Sequence, residues 1–203
     1  MEKGDIVLFI GAHPDDIEFG CGSTLSKCID IGCDVYCLVM SPIDGDGILY
    51  SEFGLSCEIY GISSDKVMKL DYPVRRFNEY RQSILDYMVS VYISISPEYV
   101  FVPSSDDIHQ DHMVVHEESI RAFKHCNMLG YELPWNNLRS VVNHYIRVEE
   151  NDVGKKVNAI SCYASQSGRC YSSSEFIYSL ARVRGTQVNS DYAEAFEYIR
   201  GVI

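Results

Sequence analysis

Three short and nearly uninterrupted apolar runs constrain the fold of this chain more than any other feature. They are DIVLFIGA (5–12), CDVYCLVMS (33–41) and EYVFVP (98–103). Continuous β-branched and aromatic residues are typical of strands that are buried on both faces. Since parallel strands need a crossover of a dozen or more residues, usually a helix, the spacing of the first two runs favours a β-α-β unit.

Helical patterns lie between and after these runs. Segment 23–32 predicts a helix that closes at Gly32, and segment 77–97 places its apolar residues on one helical stripe before Pro97. Further elements are predicted along the rest of the chain: strands at 66–73 and 139–148, and helices at 113–126, 154–166 and 173–185. The alternation predicts an α/β fold, a Rossmann-like, doubly wound and mostly parallel sheet with helices on both faces. Because no linker or repeat divides the chain, we expect residues 1–203 to form a single domain.

Segment 41–55, SPIDGDGILYSEFGL, is rich in glycine and aspartate. Such a composition after a buried strand predicts a long functional loop or lid. We expect residues 51–62 to contribute a short helix.

The charge balance narrows the class of partner. The chain has 17 Lys and Arg against 29 Asp and Glu, a formal net charge of −12. Nucleic-acid binders carry basic stripes, and anionic membranes attract basic surfaces, so the sequence indicates neither partner. A small molecule or a second copy of the chain, in a homo-oligomer, is the expected partner.

The eight cysteines do not form a metal or redox motif. No CxxC pair occurs, and several cysteines lie within apolar patterns, where cysteine acts as a small buried hydrophobe. The N-terminal residues lack the pattern of a signal peptide, and no apolar stretch is long enough to span a bilayer. We therefore expect a reduced, cytoplasmic protein.

Two polar clusters follow predicted strands. GAHPDDIEFGCG (11–22) comes directly after the first strand and crowds a histidine against three carboxylates, and SSDDIHQDH (104–112) follows the strand at 98–103. In doubly wound folds, ligands bind beyond the carboxyl ends of the strands, so we expect both clusters at one sheet edge. Taken alone, the first cluster could be a charged turn that caps the next helix. The second cluster favours a metal site instead.

The residue types in these clusters suit zinc. A catalytic zinc site uses three protein ligands and leaves one position for water, whose pKa the metal lowers. His13 and Asp16 can aim at one point, and the second cluster offers His109 and His112 as a third ligand. Asp15, which is not needed as a ligand, is then free to act as a general base.

Other residues in the clusters have ordinary explanations. His116 lies four positions after His112, a spacing that can bind zinc, but we interpret it as a packed or capping histidine. His125 and His144 are interpreted as structural. Glu18 is expected to cap the helix or to orient a ligand histidine. The glycines of GCG (20–22) are expected to allow close packing of the helix start on the sheet, because a complete dinucleotide fingerprint is absent.

Together, AHPDDIEFGCGSTL and HQDH closely resemble the motifs of the PIG-L/LmbE family of zinc-dependent N-deacetylases, which remove acetyl groups from N-acetylglucosamine-type sugars and related conjugates. The segments 72–87, 162–171 and 181–200 also resemble bacterial LmbE-type members, so the resemblance spans most of the chain. It implies one Zn²⁺ per chain, with another divalent metal possible.

The resemblance also implies roles for individual residues. His13, Asp16 and His112 match the zinc ligands, and Asp15 matches the general base. His109 matches a histidine that stabilises the oxyanion or protonates the leaving amine.

Two further residues match with less defined roles. Asp111 matches a carboxylate that orients or tunes the neighbouring histidines. Arg75 lies where members often carry an arginine at the rim of the active site, which implies substrate binding; a surface ion pair is the alternative.

The sequence also departs from the family pattern. Relatives often have a sugar-contacting arginine three residues before the glutamate that aligns with Glu52, where this chain has Leu49. Ser23 replaces a common glycine. Neither change touches the implied zinc ligands, so the resemblance supports the chemistry more strongly than the substrate.

The resemblance implies a hydrolase that removes an N-acetyl group from an N-acetylglucosamine-type sugar or conjugate, with metal-bound water as the nucleophile. Two alternatives stay open. The chain could act on another amide, carbamoyl or thiol-conjugate substrate, or it could be a zinc-containing sugar-binding protein without turnover.

Overall fold

A seven-stranded mixed sheet forms the centre of the part of the chain described by a computed structural model, residues 1–42, 47–139 and 141–202. The strands are β1 (Ile6–Gly11), β2 (Asp34–Val39), β3 (Val67–Lys69), β4 (Tyr99–Pro103), β5 (Asn127–Tyr131), β6 (His144–Val148) and β7 (Tyr192–Arg200). Their order is β3-β2-β1-β4-β5-β7-β6. The first five strands are parallel, whereas β7 is antiparallel to both β5 and β6.

Six α-helices of the described residues cover both faces of this sheet. They are α1 (Asp16–Ile31), α2 (Ile48–Tyr60), α3 (Arg81–Ile95), α4 (Gln110–Ala122), α5 (Glu150–Ser161) and α6 (Ser174–Thr186). Phe9 of β1 belongs to the apolar cluster that also contains buried residues of α1, α2, α5 and α6. Leu8, whose side chain points to the opposite face, belongs to the cluster formed with α3 and α4. The predicted doubly wound α/β architecture is therefore confirmed.

Several predicted elements have different boundaries in the structure. The helix predicted at 23–32 is the second part of α1, which begins at Asp16, inside the first polar motif. Gly32 ends this helix in a left-handed conformation, as predicted. Helix α4 begins at Gln110 rather than at 113, so that the second motif also lies at a helix start.

The sequence patterns missed β5 and β7. Strand β5 is short and contains Gly130, and β7, YAEAFEYIR, is rich in alanine and glutamate, which favour helices. Pairing with neighbouring strands overrides this local preference. The same pairing adds an antiparallel edge to a sheet that the sequence predicts as mostly parallel.

The predicted loop at 41–55 is shorter than expected within the described residues. Helix α2 already begins at Ile48, earlier than the helix predicted at 51–62, and Leu49 is buried in the core. Residues 43–46, on which the rest of the lid prediction falls, lie outside the described residues.

A kink divides α1 near the end of the first motif. Cys21 has a non-helical φ of −149°, which leaves backbone groups on both sides without helical partners. The Glu194 carboxylate accepts a hydrogen bond from the Thr24 amide at 2.7 Å, and the Lys156 ammonium donates to the Phe19 carbonyl at 2.7 Å. Glu194 and Lys156 are themselves a buried ion pair at 2.7 Å. Side chains of strand β7 and helix α5 thus provide hydrogen-bond partners for the backbone groups that the kink leaves free in the helix that carries the motif.

The helix start also depends on one close approach to the sheet. A Cβ atom at Gly20 would overlap the ring of Tyr131, which is fully buried on β5 and donates a hydrogen bond to the Ile10 carbonyl at 2.9 Å. The predicted close packing of this glycine is confirmed.

Gly20→Ala is therefore expected to lower the free energy of unfolding by about 1–3 kcal/mol, because the added methyl group overpacks the core. Gly54→Ala, within α2, is the matched control: its Cβ would meet only the end of Lys69 at 3.6 Å. Since alanine is the better helix former, the control should gain stability, by up to about 1 kcal/mol. Urea denaturation of both variants measures the difference, and equal stabilities would contradict this packing.

Candidate metal-dependent active site

The two polar motifs meet at one edge of the sheet. His13 lies just beyond the end of β1, and His112 lies in the first turn of α4, shortly after β4. Because β1 and β4 are adjacent and parallel, their carboxyl ends deliver both motifs to the same place. His13 Nδ1 lies 3.3 Å from His112 Nε2, although the two residues are 99 positions apart.

Asp16 completes a compact group of three donor atoms. Its Oδ2 atom lies 3.2 Å from His112 Nε2 and 3.6 Å from His13 Nδ1. Metal–ligand bonds of 2.0–2.1 Å in a tetrahedral site place neighbouring ligand atoms about 3.3 Å apart. The three observed separations match that spacing, and all three side chains are buried.

Each of these histidines uses its other ring nitrogen for a carboxylate. His13 Nε2 lies 3.1 Å from Asp111 Oδ2, and His112 Nδ1 lies 2.7 Å from Asp107 Oδ2. Metal-binding histidines almost always donate their second N–H in this way, which leaves the inner nitrogen with a free lone pair. Two such lone pairs and a carboxylate oxygen then converge, an arrangement that suits a divalent cation.

Asp107 was missed by the sequence analysis. Besides its contact with His112, it accepts a hydrogen bond from the His109 amide at 2.8 Å. The only signal was its position in the acidic pair DD (106–107), and nothing in the sequence distinguishes it from Asp106. Asp111, in turn, orients His13 and also accepts from the Phe77 amide at 3.3 Å.

The two adjacent aspartates of the first motif have opposite electrostatic environments. Burial alone would raise both pKa values, but His112 and His13 hold the pKa of Asp16 well below its usual range. For Asp15, burial and the nearby carboxylates of Asp16 and Glu18 raise the pKa well above its ordinary value. The two neighbouring carboxyl groups therefore differ in their affinity for a proton, which Asp15 binds more readily than Asp16.

The histidines respond to the same charges. Burial opposes protonation of His112, but Asp16 and Asp107 outweigh it and raise its pKa to about 10. A bound cation would take the place of that proton between His112 and Asp16. The pKa of His13 is also raised, since its hydrogen bonds to Asp111 and Asp16 outweigh burial.

His109 lies beside this group as the N-cap of α4. Its Nδ1 atom accepts a hydrogen bond from the Asp111 amide at 3.2 Å, so a proton on the neutral ring resides on Nε2. Burial and the neighbouring His112 and His13 lower its pKa to about 4. The ring nitrogens of His13, His109 and His112 lie within 4.8 Å of one another, so these three histidines form a second candidate ligand set.

A cavity of about 250 Å³ opens over these groups. Its wall includes Trp135 and Tyr171, whose rings stack at 3.7 Å, and the two arginines Arg75 and Arg169. Arg75, which the resemblance implies in substrate binding, has a left-handed backbone with φ 62°, and its amide donates to Asp111. Trp135, Arg169 and Tyr171 were not singled out from the sequence.

The remaining predicted residues lie away from the donor group. His116 Nδ1–H donates to the Pro103 carbonyl at 2.8 Å, in agreement with its interpretation as a packed histidine. His144 stacks on Tyr198 with ring centroids 5.3 Å apart. Glu18 lies in the first turn of α1 but does not orient a histidine, because its Oε1 atom accepts hydrogen bonds from the hydroxyls of Ser56 and Tyr163.

The fold and the site define a class: an α/β protein with a candidate metal-dependent hydrolytic centre at the carboxyl edge of its sheet. A family model described as PIG-L, GlcNAc-PI de-N-acetylase, matches residues 8–123, which include both motifs and more than half of the chain. The chain therefore belongs to the PIG-L family of deacetylases.

Individual proteins are also similar to this chain in sequence or in structure. The uncharacterized deacetylase YaiS of Escherichia coli (strain K12) is 27% identical over 169 residues, which cover 78% of this chain and 90% of YaiS. The N,N'-diacetylchitobiose deacetylase from Pyrococcus horikoshii superposes with a TM-score of 0.74 at 19% identity, over 95% of this chain and 82% of that one. GalB, the 4-carboxy-2-hydroxymuconate hydratase from Pseudomonas putida KT2440, has a TM-score of 0.80 at 19% identity and 98% coverage of both chains. These two structures establish the common fold.

Asp107→Asn is expected to weaken Zn²⁺ binding by about 10–100-fold, because it disturbs the hydrogen bond that orients His112. Asp106→Asn is the matched control, since Asp106 Oδ2 has no hydrogen-bond partner in the described part of the chain. Competition with a chromophoric chelator measures both affinities. Equal Zn²⁺ affinity of the two variants would show that Asp107 does not support the site.

Proposed function

We propose that this protein is a zinc-dependent N-deacetylase that hydrolyses the acetamido group of an N-acetylglucosamine-type sugar or conjugate. The convergence of His13, Asp16 and His112 on one point, with Asp15 beside it, is the observation that carries the proposal. Membership of the PIG-L family supports the reaction class.

His13, Asp16 and His112 would hold the metal. Their donor atoms have the mutual spacing of zinc ligands, and each histidine has its own carboxylate partner. His109 is the weaker candidate, because its Nδ1 atom already accepts the Asp111 amide at the helix start. A divalent metal bound there would supply Lewis acidity, polarising the amide carbonyl and lowering the pKa of water.

Side chains of the protein then carry out the proton transfers. Asp15 accepts a proton from the water whose oxygen attacks the amide carbon, and its raised pKa suits that role. The Nε2–H group of His109 donates to the carbonyl oxygen as negative charge develops, a contribution typically worth ~2.7–4 kcal/mol. When the C–N bond breaks, the proton held by Asp15 passes to the leaving amine, which gives acetate and a free amine.

The cavity supports a sugar as the substrate. The cavity over the donor group is open to solvent, and the stacked Trp135 and Tyr171 offer an aromatic wall against which a sugar ring can pack. Arg75 is the substrate-binding residue of this proposal. Leu49, which stands where relatives often have a sugar-contacting arginine, is buried in the core, and Arg169 in the cavity wall provides a second cation instead. The P. horikoshii neighbour, an N,N'-diacetylchitobiose deacetylase, is consistent with such a substrate.

The ligand set can be tested by metal content. Asp16→Asn is expected to lose bound Zn²⁺ after dialysis, because it removes a charged ligand. His109→Gln should retain about one Zn²⁺ per chain. Elemental analysis of both variants decides between the two ligand sets, and loss of metal only in His109→Gln would favour the three histidines instead.

The chemistry can be tested with Asp15→Asn. Asparagine tolerates the left-handed backbone at this position but cannot accept the proton, so kcat should fall by about 10²–10⁴-fold with Zn²⁺ still bound. Acetate release from N-acetylglucosamine, its oligomers and its nucleotide conjugates measures the effect. Wild-type turnover by the zinc-loaded variant would contradict the role of Asp15.

The same substrate panel, extended by 4-carboxy-2-hydroxymuconate, tests the reaction class. Acetate release by the wild type that a chelator abolishes supports a metal-dependent deacetylase. Hydration of 4-carboxy-2-hydroxymuconate, the substrate named for GalB, without hydrolysis of any N-acylated compound would overturn the proposal.

A further inference from the structure

Asp15 has a backbone conformation that needs support. Its φ of 88° lies in the left-handed region, which non-glycine residues rarely occupy. It is the N-cap residue of α1, yet its side chain makes no capping hydrogen bond. Its carboxylate therefore lines the cavity instead of stabilising the helix start.

The support comes from a residue far along the chain. The Asp15 amide donates a hydrogen bond to the Tyr163 hydroxyl at 3.1 Å, across 148 positions of sequence. Tyr163 follows α5 and is 1% exposed, so water does not compete for this hydroxyl.

The hydroxyl group of Tyr163 is itself oriented by Glu18. A phenol has one proton to donate, and Tyr163 donates it to Glu18 Oε1 at 2.8 Å, which turns a lone pair towards the Asp15 amide. Ser56 donates to the same carboxylate oxygen. Glu18 is 1% exposed, and its Oε2 atom has no hydrogen-bond partner among the described residues.

A buried carboxylate with a free oxygen is costly to keep, so Glu18 requires a reason beyond packing. We infer that Tyr163 and Glu18 are positioning residues, which hold the strained Asp15 backbone so that its carboxylate faces the reacting groups. This inference rests on the proposed role of Asp15 as the general base. It gives Glu18 a function without making it a ligand.

Tyr163→Phe tests the inference, and Tyr60→Phe is its matched control. Tyr60 is a second buried tyrosine of the same apolar cluster, and its hydroxyl has no partner within the described ranges. Both variants lose one buried hydroxyl, but only the first loses the contact with Asp15.

Tyr163→Phe is expected to lower kcat by about 10²-fold, the scale of a small displacement of a reacting group, with KM and bound Zn²⁺ within twofold of wild type. Tyr60→Phe should keep the wild-type kcat. A purely structural role for Tyr163 would lower the melting temperature and leave the kcat of the folded enzyme unchanged, which would overturn the inference.

Glu18 variants provide the rescue test. Glu18→Gln keeps an oxygen that accepts from Tyr163 and is expected to retain kcat within about fivefold, whereas Glu18→Leu should match Tyr163→Phe. Should Glu18→Leu fail to fold, Glu18→Gln and Tyr163→Phe still decide. A Glu18→Gln enzyme as impaired as Tyr163→Phe would show that the charge, rather than the orientation of the hydroxyl, matters.

Amide hydrogen exchange provides a measurement that does not depend on turnover. By NMR, the Asp15 amide should exchange at least about tenfold faster in Tyr163→Phe than in wild type or Tyr60→Phe. Unchanged exchange would overturn the inference even if the wild type is a deacetylase. If the wild-type enzyme releases no acetate, the proposed function is overturned. Faster exchange of the Asp15 amide in Tyr163→Phe would in that case still support the inference that Tyr163 fixes the backbone of Asp15.

Discussion

The parallel pairing of β1 with β4 is the interaction on which the rest of the site depends. Val7, Leu8 and Phe9 pair with Tyr99, Val100 and Phe101, in register, so both strands end at the same level. The polar motifs that follow them therefore face each other across a few ångströms. Residues of both strands are buried on both faces, which makes this edge a rigid support for the site.

Because this edge of the sheet is buried, its charged side chains must be arranged so that each one has a partner. Several carboxylates and histidines lie where water is largely excluded, and each of the buried charges must be paired or neutralised. Asp107 pairs with His112 Nδ1, and Asp111 pairs with His13 Nε2, the ring nitrogens that face away from Asp16. These contacts fix the orientation of both rings. Their inner nitrogens converge with Asp16 Oδ2, and this donor set suits a single cation.

The same burial gives the two adjacent aspartates different affinities for a proton. Asp16 lies against two histidines, which lower its pKa, whereas Asp15 lies near other carboxylates, which raises its pKa. Environments that push apart the pKa values of neighbouring groups are typical of acid–base sites. The backbone of Asp15 is left-handed, and α1 begins at the next residue, Asp16.

The sequence by itself determined the central strands, the class of fold and the two polar motifs. These features are local: continuous apolar runs, Gly32 at a helix end, and histidines next to aspartates can be recognised within a few residues. The rule that ligands bind beyond the carboxyl ends of parallel strands was enough to bring both motifs to one edge.

Only the tertiary structure decided the partners of these residues. Asp107 could not be distinguished from Asp106, and nothing near Tyr163 in the sequence indicates that it contacts Asp15 and Glu18 across more than 140 positions. The same holds for β7, whose helix-favouring composition is overridden by pairing with β5 and β6. Such contacts depend on how distant elements pack, and this packing is not encoded in any local pattern of residues.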